Sequence, residues 1–190
     1  DASLGSILVE VYAMKTSDDA FGLLSTDWEG EVVPLQAGPP PSPSVRAARA
    51  LYGAGLLRLW ADTLHARVLA ARETPASREA VLAVGRALVA GRPARPAPGL
   101  GAAIPATGAS SYALRPGRTC YFRSHLVLNS AYFLASSDLL GLGPEVEGVT
   151  AEYQSSRPGE RPTRLILVRY PSEARASAAL ANFRREYLPE

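Results

Sequence analysis

The sequence predicts an α+β fold with a mainly antiparallel sheet and helices packed on one face. Apolar residues recur in the runs ILVEVYAM (7–14) and RLILVRYP (164–171), which is typical of strands. Each run is followed by a serine and then by acidic residues and alanine, which indicates a capped helix. Between the two ends, short hairpins join neighbouring strands, and hairpins favour antiparallel pairing.

The first half is predicted to run β-α-β-β-α. Strand 7–14 has apolar residues at both odd and even positions, so we expect it to be mostly buried on both faces. Ser17 is the predicted N-cap of the next helix. Residues 55–70 indicate a hairpin with its turn at Asp62 and Thr63.

A second helix closes this half. Ser77 is its predicted N-cap, and Val81, Val84 and Leu88 form an apolar stripe at helical spacing. Gly91 stands where a helix of this kind ends.

The second half is predicted to run β-β-β-α. Residues 119–129 indicate a strand, and residues 136–143 a turn. Strands 146–154 and 164–171 then pair in antiparallel fashion, and Ser172 caps the last helix.

Two segments rich in proline separate these elements. Residues 37–44 predict an extended surface loop, and residues 92–111 predict a linker. We therefore expect a single domain, 1–190, with halves 1–91 and 112–190. The similar order of strand, cap and helix at both ends raises the hypothesis of two related β-α-β-β-α-like halves.

Composition excludes several classes of protein. The chain has 190 residues, 47% of them apolar and 20% charged, which suffices for a globular core. Net charge is only +2, although residues 1–44 are acidic and residues 45–100 basic. This asymmetry indicates either a polarised surface or two faces that attract each other inside the fold. There is no basic stripe with interleaved aromatic residues, so nucleic acid is not an expected partner. No apolar run approaches the roughly 20 residues of a membrane span.

The chemistry-bearing residues are few. A lone cysteine, Cys120, excludes an internal disulfide and a cysteine-rich metal site, and its apolar neighbours predict a buried, inert thiol. The two histidines, His65 and His125, have no metal-binding spacing. Because Lys15 is the only lysine, a Walker-type phosphate loop is also excluded. We expect no metal and no cofactor.

The best candidate site is Tyr121, Arg123 and His125, which share one face of the predicted strand 119–129. Arginine is a fork-like donor for an anionic ligand, and His125 could serve as a base beside Ser124 or a distant acid. The alternative is a solvated strand face without a ligand.

A second polar group lies in the hairpin, where His65 is close in sequence to Arg58 and Arg67. The same two interpretations, an anion site and a solvated face, apply to it.

Three stretches carry a resemblance to a known family: VEVYAMKTSDDAFGLLS (9–25), GLLRLWADTLHARVLAA (55–71) and LVRYPSEARASAAL (167–180). They resemble an uncharacterised bacterial family, domain of unknown function 6599, in which an aromatic-ended strand runs into a D/E-A-F-G segment before a hairpin and a helix. The resemblance covers residues 5–90 best and lacks a preceding family segment. It implies a bacterial protein, often exported, and it transfers no catalytic residue.

These observations favour a non-catalytic, envelope-associated binding or accessory module with a protein partner or a homo-oligomeric state. The expected compartment is the periplasm or cell envelope, with the cytoplasm as the alternative. Two alternative functions stay open. One is a small hydrolase that uses His125 with Arg123. The other is a small-ligand carrier that uses the Tyr121, Arg123 and His125 face or the space between sheet and helices.

Overall fold

In a computed structural model of the chain, the described residues are 5–35, 49–107 and 111–188. They confirm an α+β fold with antiparallel sheets of five and three strands. The chain divides into two compact units. The first comprises Asp1–Leu24 and Trp28–Ala97, and the second comprises Ser25–Asp27 and Pro98–Glu190.

The elements of the first unit are β1 Ile7–Ala13, α1 Ser17–Leu24, β2 Glu31–Val32, β3 Arg49–Gly53, β4 Leu56–Ala61, β5 Leu64–Ala70 and α2 Pro75–Val89. Its five strands form one sheet in the order β1-β5-β4-β3-β2, with antiparallel neighbours throughout. The predicted hairpin is confirmed as β4 and β5, and Asp62 in its turn has a positive φ of 51°. Strands β2 and β3 were not predicted.

The two helices of this unit lie on opposite faces of the sheet, which differs from the predicted layering. Leu57 and Leu59 of β4 are buried in one cluster with Val81 and Val89 of α2. Side chains alternate along a strand, so Trp60 points to the other face, where it contacts α1. A strand with large apolar residues at consecutive positions therefore has a helix on each side.

The N-caps of α1 and α2 are the threonines Thr16 and Thr74, which precede the predicted N-caps Ser17 and Ser77 in the sequence. Thr16 Oγ1 accepts a hydrogen bond from the Asp19 amide at 3.1 Å. Thr74 Oγ1 likewise accepts from the Ser77 amide at 3.1 Å, and Ser77 Oγ accepts from the Thr74 amide at 2.8 Å. Ser77 is thus the N3 member of a capping box, a role that sequence alone does not separate from the N-cap.

The second unit contains a short 3₁₀ helix, Gly99–Ala103, within the predicted linker. Its other elements are β6 Tyr112–Phe122, α3 His125–Ala131, β7 Glu147–Ser155, β8 Thr163–Arg169 and α4 Glu173–Tyr187. The three strands form a sheet in the order β6-β7-β8. The core groups Phe122, Leu128 and Leu140 with Ile166 and Val168 of β8 and with Phe183 of α4.

The predicted strand 119–129 is wrong in its second part. Strand β6 ends at Phe122, and Ser124 caps helix α3 by accepting a hydrogen bond from the Val127 amide at 3.4 Å. Alternation continues through LVL in the sequence, but the capping serine redirects the backbone into a helix. The last helix and its cap, Ser172, are as predicted.

The proline-rich loop predicted at 37–44 lies outside the described residues. The order β-α-β-β-α holds for the second unit. The strand pairing differs between the units, however. In the first unit, the first strand along the chain, β1, pairs with the last one, β5. In the second unit, the first strand, β6, pairs with the strand that follows it, β7.

Candidate functional site

The predicted site residues Tyr121, Arg123 and His125 do not share a strand face. Tyr121 lies on β6, Arg123 follows the end of that strand, and His125 begins α3. Arg123 donates a hydrogen bond to the Pro144 carbonyl. The three side chains therefore do not form the row that the alternation predicted.

Tyr121 is part of a polar cluster inside the second unit. Its side chain is buried, and its phenol donates to Glu147 Oε2 at 2.9 Å. Arg169, on β8, also donates to the Glu147 carboxylate. The carboxylate thus ties two neighbouring strands to β7, which is a structural role for the phenol.

Cys120 is buried, as predicted. Burial raises the pKa of its thiol to about 11, and a contact with the Ser25 hydroxyl, 3.6 Å from Sγ, acts weakly in the opposite direction. Because the thiolate is the nucleophilic form, this thiol is unreactive near neutral pH.

The three polar residues of the predicted hairpin, Arg58, His65 and Arg67, lie on one face of the five-stranded sheet. Arg58 and Arg67 lie directly opposite each other on β4 and β5, and His65 lies opposite Trp60. On the other side of β5, Glu10 lies opposite Arg67, and Arg67 Nη1 donates to Glu10 Oε2 at 2.9 Å. Arg58 donates to the Glu29 carbonyl.

His65 is the most perturbed titratable group of this cluster. It is only 6% exposed, and its Nδ1 atom is buried without a hydrogen-bond partner among the residues that the structure describes. Burial lowers the pKa of His65 to about 4, helped by the positive charges of Arg67 and Arg58 and opposed by the Leu59 backbone. The imidazole is therefore neutral at pH 7, and it packs near the Tyr12 ring with centroids 5.9 Å apart.

This pKa predicts a specific dependence of stability on pH. The unfolded chain takes up a proton at His65 near pH 6.5, whereas the folded chain does so only near pH 4. The stability that the neutral imidazole contributes is fully present above pH 6.5, and we expect up to about 3 kcal/mol to be lost as the pH falls to 4. Urea unfolding of wild type and of His65→Gln across this range measures the effect, since glutamine does not titrate. A stability difference between the two proteins that stays constant with pH would contradict the assignment.

Strand β1 differs most from its prediction, because it is an edge strand and its apolar side chains are exposed on both faces. The exposed fractions are 56% for Leu8, 41% for Val9, 50% for Val11 and 43% for Tyr12. Only β5 pairs with β1 among the described residues. The expectation of burial on both faces is wrong because a pattern of apolar letters does not say which strand lies at the edge.

The hydrogen-bond register shows which backbone groups of β1 point outward. Ser6 accepts from the Ala71 amide at 3.0 Å, and the Met14 amide donates to Thr63 at 2.8 Å. In an antiparallel ladder such positions alternate, so even-numbered residues bond to β5. The N–H and C=O groups of Ile7, Val9, Val11 and Ala13 are therefore directed away from the sheet.

The two edges of this sheet are unlike each other. Strand β2, at the opposite edge, has two residues, one of them the acidic Glu31. Strand β1 has seven residues in continuous register with no bulge, no proline and no lysine. Its one charged side chain, Glu10, is paired with Arg67. The features that usually protect an edge from pairing are thus present on β2 and absent from β1.

Within the described ranges, no group of three or more His, Cys, Asp or Glu side chains is placed to hold a metal ion. The same part of the chain contains no helix with the length and apolar character needed to cross a membrane.

No protein family, curated protein or solved structure shows a significant match to this chain.

Proposed function

We propose that this chain is a non-catalytic binding module, an accessory subunit of the bacterial envelope, that assembles through the free edge of β1. The observation that carries the proposal is an edge strand with outward N–H and C=O groups and exposed apolar side chains on both faces. Such an edge is a template for another strand, which it would bind by main-chain hydrogen bonds and apolar contacts. The envelope location rests on the family resemblance of residues 5–90.

The partner strand that fits best is β1 of a second copy. A two-fold axis at Val11 would place Val9 opposite Ala13 of the other copy and Glu10 opposite Tyr12. Apolar side chains would then meet apolar ones, and each carboxylate would meet a phenol. An axis at Glu10 would instead oppose two carboxylates, which is unfavourable. The register about Val11 also matches outward backbone groups with outward groups.

The test is the native mass as a function of concentration. A seven-residue strand pair is a small interface, so we expect dissociation in the range of about 1 µM to about 1 mM. Sedimentation velocity across that range is expected to show a shift from the 20.1 kDa chain to a species of twice that mass.

The variant Val11→Pro tests the surface. It removes an outward N–H but no hydrogen bond to β5, and proline is tolerated on edge strands in that orientation. We expect it to be monomeric at all concentrations while its far-UV circular dichroism stays that of wild type. Val11→Thr is the matched control, since it keeps the amide and the β-branched shape, and it should still dimerise.

Two outcomes would overturn the proposal. A wild-type chain that is monomeric over the whole range would exclude a second copy as the partner. A dimer that persists in Val11→Pro would show that another surface forms it. The hydrolase alternative and the ligand-carrier alternative on Tyr121, Arg123 and His125 stay predictions, and the separation of these residues onto different elements does not favour them.

A further inference from the structure

We propose that the second unit has a ligand site under helix α4 that binds a monocarboxylic acid with an apolar part of about six to ten carbon atoms. The site is separate from the β1 edge, so the inference does not rest on the proposed assembly. Its evidence is an apolar cavity between β8 and α4 and an adjoining cavity that has an arginine in its wall.

The apolar cavity has a volume of about 230 Å³. Its walls include Ile166 and Val168 of β8, Leu140, and Ala176, Ala179 and Phe183 of α4. This cavity is open to solvent, because the half-exposed Leu180 is also one of its walls. A closed apolar cavity of about 150 Å³ holds benzene, so an open one of this larger volume has room for an apolar group of more than six carbons.

The cavity exists because α4 turns its smallest side chains to the sheet. Ala176 and Ala179 are the residues of α4 that line it opposite Ile166 and Val168, and Phe183 closes one end. Leu180 also lines the cavity but is 49% exposed, so the cavity is open to solvent beside it. Leucine in place of these alanines would fill much of the space between the helix and the sheet.

A second cavity of about 290 Å³ adjoins the first and supplies the polar end. The two share Leu140, Tyr170 and Ala179 as walls, and the second also contacts Arg175. Where the two cavities meet, the Tyr170 hydroxyl donates to the Leu140 carbonyl at 2.7 Å, so this hydroxyl does not need a hydrogen bond from the ligand. An elongated molecule could therefore lie past Tyr170 with its apolar part in the first cavity and its head in the second.

Arg175 is the cation of the second cavity. Its guanidinium is 53% exposed and contacts the exposed Glu145 at 3.0 Å, which leaves several N–H donors of the planar fork available. Asp138 also lines this cavity, but both of its oxygens accept backbone hydrogen bonds, from Leu140 at 3.1 Å and Leu142 at 2.7 Å. A carboxylate head matches Arg175 in charge and in its two-pronged geometry.

The test uses octanoate and octanol, which have the same chain and different heads. Calorimetric titration of the full chain is expected to show octanoate binding. Ala176→Leu, which fills the apolar cavity, should weaken it by at least about tenfold. Arg175→Gln should weaken octanoate by about tenfold and leave octanol unchanged. Ala181→Leu is the matched control, because Ala181 is on the exposed face of α4 and should bind as wild type does.

Each possible result decides the question. No octanoate binding at millimolar concentration overturns the site. Binding that survives Ala176→Leu, in a variant whose circular dichroism is unchanged, places the ligand elsewhere and also overturns it. Equal effects of Arg175→Gln on octanoate and octanol overturn the assignment of the carboxylate to Arg175. If Ala176→Leu does not fold, Ile166→Phe fills the same cavity from the strand side and provides the same comparison.

Discussion

Replacing Gly148 with alanine is expected to destabilise the second unit by at least about 2 kcal/mol. Gly148 lies directly opposite Phe122 in the β6–β7 pair. A Cβ atom at position 148 would overlap the Phe122 ring, with Cε2 and Cζ well inside van der Waals contact. Phe122 has no exposed surface and is packed in one cluster with Leu128 and Leu140, so the ring can yield only by displacing its neighbours.

The measurement is urea unfolding followed by far-UV circular dichroism. Gly143→Ala is the matched control, because a Cβ at position 143 would have no neighbour within 4 Å, and its stability should be equal to or slightly above that of wild type. Phe122→Leu in the Gly148→Ala background should recover part of the loss, since the smaller side chain removes the overlap. Wild-type stability of Gly148→Ala would contradict the close approach of the ring to β7.

Replacing Trp60 with alanine is expected to destabilise the first unit by about 3–5 kcal/mol. Trp60 is fully buried on the α1 side of the sheet. Its ring meets Phe21 edge-on, with centroids 5.2 Å apart, and its indole N–H donates to the Ser17 carbonyl at 3.0 Å. Alanine removes the largest buried side chain of this face together with the hydrogen bond that holds the first turn of α1.

Trp60→Phe separates the two contributions. Phenylalanine keeps an aromatic ring against Phe21 but removes the indole N–H that donates to the Ser17 carbonyl, so we expect a loss of about 1–2 kcal/mol. The chain has two tryptophans, and the remaining one, Trp28, also lies in the first unit, so fluorescence during unfolding reports on that unit. Val32→Ala, at a position 67% exposed, is the control and should cost less than about 0.5 kcal/mol. Equal stabilities of Trp60→Ala and Val32→Ala would contradict the buried position of the indole.

The sequence predicted the parts of this protein that depend on local chemistry. The β4–β5 hairpin forms around Asp62 and Thr63, and α4 begins after Ser172, because turn and cap preferences act over a few residues. The caps at Thr16 and Thr74 show the limit of such signals. Threonine and serine offer the same hydroxyl, so a sequence with both near a helix start identifies the region and not the residue.

The same limit explains why the three predicted site residues were placed on one face of a single strand. Alternation in TCYFRSHLVLN suits a strand, and it placed Tyr121, Arg123 and His125 in one row. Ser124 is both a member of that alternation and a strong N-cap, and the cap decides the conformation, since β6 ends at Phe122 and α3 follows. A serine two residues before an apolar run at helical spacing was the signal that could have shown this.

Sequence patterns were thus sufficient to predict the class of the fold, most of its strands and helices, and the buried thiol of Cys120. The folded chain was needed to show that β1 is an edge strand, that Arg58, His65 and Arg67 share a face, and that α4 leaves a cavity above β8. The difference follows from the range over which the interactions act. Caps and turns join residues a few positions apart, whereas an edge strand, a polar cluster or a cavity depends on which distant segments pair. A given pattern of alternating apolar and polar residues is compatible with more than one order of strands in the sheet.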